Sequence, residues 1–225
     1  MARFRSITRK FLMAISGLFL LLFLTQHLSI NLLSVVSEDA FNQVSHFMGT
    51  NPVVQFLLQP VLVFGFMFHI VMGMVLEYQN RQARPVGYEG GNKATAPWVS
   101  KNMIYTGIMV MLFLGLHFAD FFIPELEAKY FAADGRAWGY TIAEMEKTYY
   151  DHLVHEFENP IRVGLYVLAF LFLGLHLAHG FQSAFQSVGA NHPKYTPLIK
   201  KLGFIYAVVV PIGFGFIAIY HFLTH

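Results

Sequence analysis

Four histidines, His27, His69, His117 and His176, each stand inside a different long apolar stretch of the chain. An imidazole can ligate a metal or pass a proton, and a polar ring in hydrocarbon is costly enough to need a partner. Four such rings on separate apolar segments therefore point to a shared interior in which something is bound. Two of them sit in nearly the same octapeptide, LFLGLHFA at 112–119 and LFLGLHLA at 171–178, the strongest local repeat in the chain.

The elements that must position these rings are set by composition. With 56% hydrophobic and 12% charged residues over 225 positions, the chain reads as an integral membrane protein, because stretches of about 20 apolar residues recur along it. Five spans are expected, at 11–33, 53–78, 102–123, 161–185 and 202–223, within a single transmembrane domain covering 1–225. Backbone polar groups in lipid must be satisfied within the segment, so each span is expected to be helical. Barrel strands would alternate polar and apolar residues, and these segments do not. The first span follows Arg3, Arg5, Arg9 and Lys10, is too long for a removable signal peptide and has no small-residue cleavage site, so it is expected to stay in the membrane. The chain has no cysteine, which excludes disulfides, thiolate metal sites, iron–sulfur ligation and covalent c-type haem attachment.

Orientation follows from Lys and Arg. They cluster at the N-terminus, in the second connection (Arg81, Arg84, Lys93, Lys101) and in the fourth (Lys194, Lys200, Lys201), whereas Ser34 to Pro52 has none. The N-terminus is therefore expected on the cytoplasmic side of a bacterial inner membrane. The third connection, 124–160, mixes Lys129, Arg136 and Lys147 with an excess of acidic residues and suits the outer side. The net charge of +2 reflects this topological bias and carries no nucleic-acid signal.

At 1.5 Å rise per residue, His27 lies about 25 Å from Lys10 and His117 about 24 Å from Lys101, both measured from the inner face. His69 lies about 25 Å from Pro52 and His176 about 21 Å from Arg162, measured from the outer face on helices running the other way. In a hydrocarbon core of about 30 Å the four rings sort into two levels, His27 with His117 towards the outside and His69 with His176 towards the inside. Each level suits a planar ligand with two axial positions, and haem b with bis-histidine ligation, a closed site fit for electron transfer, is the expected group. The predicted fold is an all-α antiparallel bundle of five helices around two stacked, noncovalent haems b. Glycines near the ligands (Gly65 and Gly73 about His69, Gly115 before His117, Gly174 and Gly180 about His176) could admit a porphyrin face or simply ease helix packing. A metal site of three or four convergent ligands is not indicated, since the depths differ. A proton relay or cavity lining is the alternative for any one histidine.

QHLSINL on the first span, HIVMGMVLEYQNRQARP on the second, LGLHFADFF on the third and NPIRVGLYVLAFLFLGLHLAHGFQSAFQSVG on the fourth resemble the dihaem, five-helix cytochrome b subunit of succinate:quinone oxidoreductases and quinol:fumarate reductases. The resemblance covers nearly the whole chain. It implies a membrane anchor that binds two haems b and a quinone, with menaquinone expected. It further implies electron transfer to or from a flavoprotein (FAD) and an iron–sulfur subunit on the cytoplasmic side, with dimerisation of the complex as a further expectation. In that family helices one and three ligate the distal haem and helices two and four the proximal one. Spacing leaves His176 and His179 both open on the fourth helix; the family's ligand stands four residues before a glycine, which His176 with Gly180 matches, as His69 with Gly73 does. Some members carry a glutamate two residues before this ligand, proposed to pass protons, and here that position is Gly174.

The quinone is expected near the outer level, where the connection SEDAFNQVSHFMGTN supplies Glu38, Asn42, His46 and Asn51. The competing reading is a solvated loop. His179, Arg162 and Arg81 are candidates for haem propionates or for packing and helix anchoring, and Arg9, Lys10 and Arg84 for propionates or a partner subunit. His152, His155, His192, His221 and His225 are expected at the interface or in solvent. The fifth span is expected to close the bundle and face lipid without ligating either haem. The chain has no flavin or iron–sulfur motif and would perform no dicarboxylate chemistry alone. The alternatives are the haem b subunit of another respiratory oxidoreductase, of formate dehydrogenase or hydrogenase type, and a haem-free transporter or proton conductor.

Overall fold

The long apolar runs become long helices in the computed structural model, which describes residues 2–82, 103–131, 136–137, 140–141 and 149–225. The basic residues Arg84, Lys93, Lys101 and Lys147, part of the basis for the expected orientation, lie outside the described residues. Helix α1 spans Ala2–Val36, α2 Glu38–Thr50, α3 Gln59–Gln82 and α4 Met103–His117. A short α5 covers Ile123–Leu126, followed by α6 at Tyr149–Phe157, α7 at Pro160–Ser187 and α8 at Thr196–Thr224. Wider π-helical turns at Val54–Leu58, Phe118–Phe122 and Glu127–Phe131 run directly into or out of the α-helices. Besides the turns between helices, the described residues include one two-residue antiparallel pair, Arg136–Ala137 with Tyr140–Thr141. Five helical stretches, Ile7–Val36, Val54–Gln82, Met103–Leu126, Pro160–Ser187 and Thr196–Thr224, are long and apolar enough to cross a membrane. Each matches an expected span, starting at most one residue inside it and running up to six residues beyond it.

Helix ends follow local chemistry. Ser37 adopts an extended conformation, and its hydroxyl accepts the Ala40 N–H, so α1 stops and α2 starts without a loop. The connection 34–52, expected as a loop, is therefore a helix. Phe41, Asn42 and Gly49 turn into the protein. Asn51 is again extended and caps the next helix, its Oδ1 accepting from Val53 and Val54 at 2.9 and 3.3 Å, with Pro52 suited to the first turn. Asn159 repeats the device ahead of Pro160, accepting from Ile161 and Arg162. Gly189, at φ +93°, lets the chain leave α7, a conformation that β-carbons disfavour.

The interior lies mainly along α7 and α8. Val163, Tyr166, Phe170, Leu173 and Leu177 of α7 meet Ala207, Val210, Phe214, Ile217 and Ala218 of α8, and Leu28 of α1 joins them. The fifth span thus carries a deeply buried face, and its opposite face, with Phe204, Val209, Ile212 and Phe216, stays exposed as lipid-facing residues can. Packing against α1, α3 has no buried residue, and in α4 only Thr106 is buried. Gly174 explains the closeness of α7 to α8: a β-carbon there would stand 3.0 Å from the Ala207 carbonyl oxygen and 3.4 Å from Pro211 Cγ. A backbone carbonyl cannot swing aside. Gly174→Val should therefore lower the thermal stability of the detergent-solubilised protein by about 1–3 kcal/mol, whereas Gly164→Val, at an exposed position with no heavy atom within 4 Å of a β-carbon, should change it far less.

Candidate functional site

The four intraspan histidines meet as two pairs. His27 of α1 and His117 of α4 have ring centroids 5.7 Å apart, with planes inclined at 79°. His69 of α3 and His176 of α7 are 6.4 Å apart at 72°. It is His176, of the two candidates on α7, that stands against His69; His179 is half-buried one turn away. All four paired rings are half-buried. Two imidazoles that share one metal ion through nitrogen bonds of about 2 Å have centroids about 6 Å apart, so both spacings fit that arrangement.

The ring environments differ. His27 stacks on Phe23 and meets Phe214, while His117 stacks on Phe113 and contacts Phe121 and Tyr166. Asn31 Nδ2 donates to the His27 carbonyl and stands 3.4 Å from its Nδ1, and His117 Nδ1 is buried with no hydrogen-bond partner. At the second pair, Ser16 Oγ lies 3.1 Å from His69 Nδ1 and Thr106 Oγ1 lies 3.4 Å from His176 Nδ1. Of the glycines, Gly65 would meet Phe19 and Gly174 meets α8, so these two serve helix packing. A β-carbon at Gly115 would meet nothing within 4 Å, and one at Gly73 or Gly180 only a methionine methyl, which leaves room beside those helices. The glycines that face an imidazole are Gly17 and Gly107, where a β-carbon would come to 3.5 Å from Cε1 of His69 and of His176 respectively.

A buried polar network adjoins His117. Asp120 is 5% exposed on the π-helical turn after α4; its carboxylate accepts the Tyr166 hydroxyl at 2.7 Å and lies 3.5 Å from Arg162. Arg162 also pairs with Glu156, and His152 Nε2 lies 2.8 Å from the Asp120 carbonyl oxygen. Arg162 is thus engaged by carboxylates at the start of α7. Arg81 is exposed and pairs with Glu77 at 2.7 Å. Sequence reasoning did not weigh Asp120 or Tyr166; the signal was a lone carboxylate in the apolar run LGLHFADFF.

The candidates near the α1–α2 corner are spread over one face of α2, four residues apart. Glu38 is exposed, Asn42 is buried and accepts the Tyr150 N–H at 2.8 Å, and His46 is half-buried with an unpartnered Nδ1. His155, His192 and His225 are exposed as expected. His221 is not: it is fully buried, with Nε2 2.9 Å from Ser34 Oγ, because α1 and α8 pack together out to the end of the span. Among the described residues no group of three or more metal-ligating side chains converges. Comparison with protein-family models, curated proteins and solved structures finds no match.

Burial pushes the His152 imidazole below its ordinary value, an effect that exceeds the opposing hydrogen bond to the Asp120 carbonyl. A histidine held neutral in the folded state contributes its full stability above an unfolded pKa of about 6.5 and loses it as pH falls below that value. Thermal stability should accordingly fall between pH 7 and pH 5, and His152→Gln, which keeps a donor for the carbonyl without titrating, should flatten that profile.

Proposed function

We propose that the chain is the membrane-anchor cytochrome b subunit of a succinate dehydrogenase or fumarate reductase, carrying electrons between a membrane quinone, menaquinone by the resemblance, and cytoplasmic iron–sulfur and flavoprotein subunits. Its five spans form an antiparallel bundle in a bacterial inner membrane with the N-terminus in the cytoplasm. His27 and His117 would hold the outer haem b and His69 and His176 the inner one. Bound there, two haems b supply one-electron conduction across the bilayer. The observation that carries the reading is the pairing itself: depth along the sequence matches His27 to His117 and His69 to His176, and the same rings lie side by side. The repeated octapeptide then supplies one ligand to each of two different haems. The resemblance to that family runs through the segments that carry these four histidines.

The chain's own residues perform the supporting work. Aromatic rings of Phe23, Phe113 and Phe214 wall the His27–His117 pair from water and keep its surroundings apolar. On the outer side His46 is the candidate to exchange a hydrogen bond and a proton with quinone, with Glu38 exposed two turns away; Asn42, bonded to the Tyr150 N–H, positions α2 against α6. His179 and Arg81 are left as candidates for the propionates of the inner haem.

The test is optical. Dithionite-reduced wild-type complex should show b-type bands from two components. Replacing His27 or His117 with alanine should remove the same component, and replacing His69 or His176 the other. Loss of a component through His179→Ala with retention in His176→Ala would overturn the assignment on α7. Co-purification of a formate- or hydrogen-oxidising partner in place of a succinate-oxidising flavoprotein would turn the reading to the other respiratory complexes.

A further inference from the structure

The His69–His176 pair is held by a matched device on the two facing helices. Ser16 Oγ donates to the Met13 carbonyl at 2.8 Å, and Thr106 Oγ1 donates to the Met103 carbonyl at 2.9 Å. A hydroxyl has one hydrogen, so each of these oxygens can meet the imidazole only as an acceptor. With the hydroxyl hydrogen on the carbonyl, the tautomer that completes both contacts carries its proton on Nδ1 of His69 and of His176. That tautomer leaves the Nε2 lone pair of each ring free for a ligand. Both hydroxyl residues are buried, at 8% and 2% exposure, so no water competes freely for the contact. The next residue in each case is the glycine that faces the same ring, Gly17 to His69 and Gly107 to His176.

Each hydroxyl–glycine pair also stands in the same relation to a histidine of the other level. Ser16 precedes His27 by eleven residues and Thr106 precedes His117 by eleven. Eleven residues are close to three full helical turns, about 16 Å along the axis, so both features fall on one face of α1 and of α4. One helix face thus carries a ring at one level and the support for a ring at the other. At the His27–His117 pair no hydroxyl plays this part: His27 faces Asn31, and His117 Nδ1 has no partner.

We infer that Ser16 and Thr106 are positioning residues that fix the Nδ1–H tautomer and ring orientation of His69 and His176 and, by accepting that proton's hydrogen bond, raise the electron donation of both rings to the inner haem iron. This inference rests on the proposed haem ligation. Support of this kind raises ligand basicity and favours the oxidised metal. Loss of it should favour the reduced form.

The measurement is a potentiometric titration of the purified whole complex, with low-spin EPR of each haem. Ser16→Ala and Thr106→Ala should each raise the midpoint potential of the haem lost in His69→Ala, the double variant more than either, with altered EPR of that haem and no shift in the other. Ser16→Thr and Thr106→Ser should restore wild-type values. Should an alanine variant fail to assemble, Ser16→Cys, similar in size but a weak acceptor, reads the same question: an upward shift supports the inference and an unchanged potential overturns it. Two haems with unchanged potentials and EPR in both alanine variants overturn the inference and leave the haem reading intact. A wild-type complex without haem b overturns both.

Discussion

An imidazole in hydrocarbon has two nitrogens to satisfy and no water with which to do it. Four helices here each carry that demand within the span, and the packing of α1, α3, α4 and α7 answers it by bringing the rings together in twos. At one level the outward-facing nitrogens are met by Ser16 and Thr106, whose own hydrogens are already committed to the turn before them. At the other level aromatic rings close around the pair and one nitrogen is left without a protein partner. The two levels are therefore chemically unequal, although each is built from a pair of histidines.

Helix geometry lets so few residues serve both levels. A separation of eleven residues returns a helix to nearly the same face, so α1 and α4 each present a hydroxyl, a glycine and a histidine to one interior. The α7–α8 interface supplies the rigid wall. Gly174 is central to that wall: α8 approaches so closely that its own carbonyl and a proline ring occupy the place a side chain would take. A side chain at this position would force open the seam by which the fifth span seals the bundle. The Asp120 network fastens the opposite end of α4 to α6 and α7, next to His117.

The spans were legible in the sequence because lipid demands continuous apolar helices and little else. The matching of rings was legible because helical rise converts residue number into depth. Helices α2 and α6 were not, since short amphipathic segments between spans resemble polar loops until the surface they cover is known; Phe41, Leu153 and Phe157 provide that surface from the protein side. His221 looked interfacial from its place at a span end, and its burial depends on the lateral packing of α1 against α8, to which hydropathy is blind. Asp120 finds its partners at Tyr166, Arg162 and His152, far along the chain, so its role emerges only when α4, α6 and α7 meet. Glycines near the histidines divided in the same way, Gly65 and Gly174 serving helix contacts while Gly17 and Gly107, further off in sequence, face the rings.

The central claim is that each histidine pair binds one haem b. Quantitative haem extraction from the purified chain or its complex, set against protein content, tests it most directly. The account requires two noncovalent haems b per chain, both lost on acid–acetone extraction. A stoichiometry of one, or protein that assembles fully without haem, would contradict it.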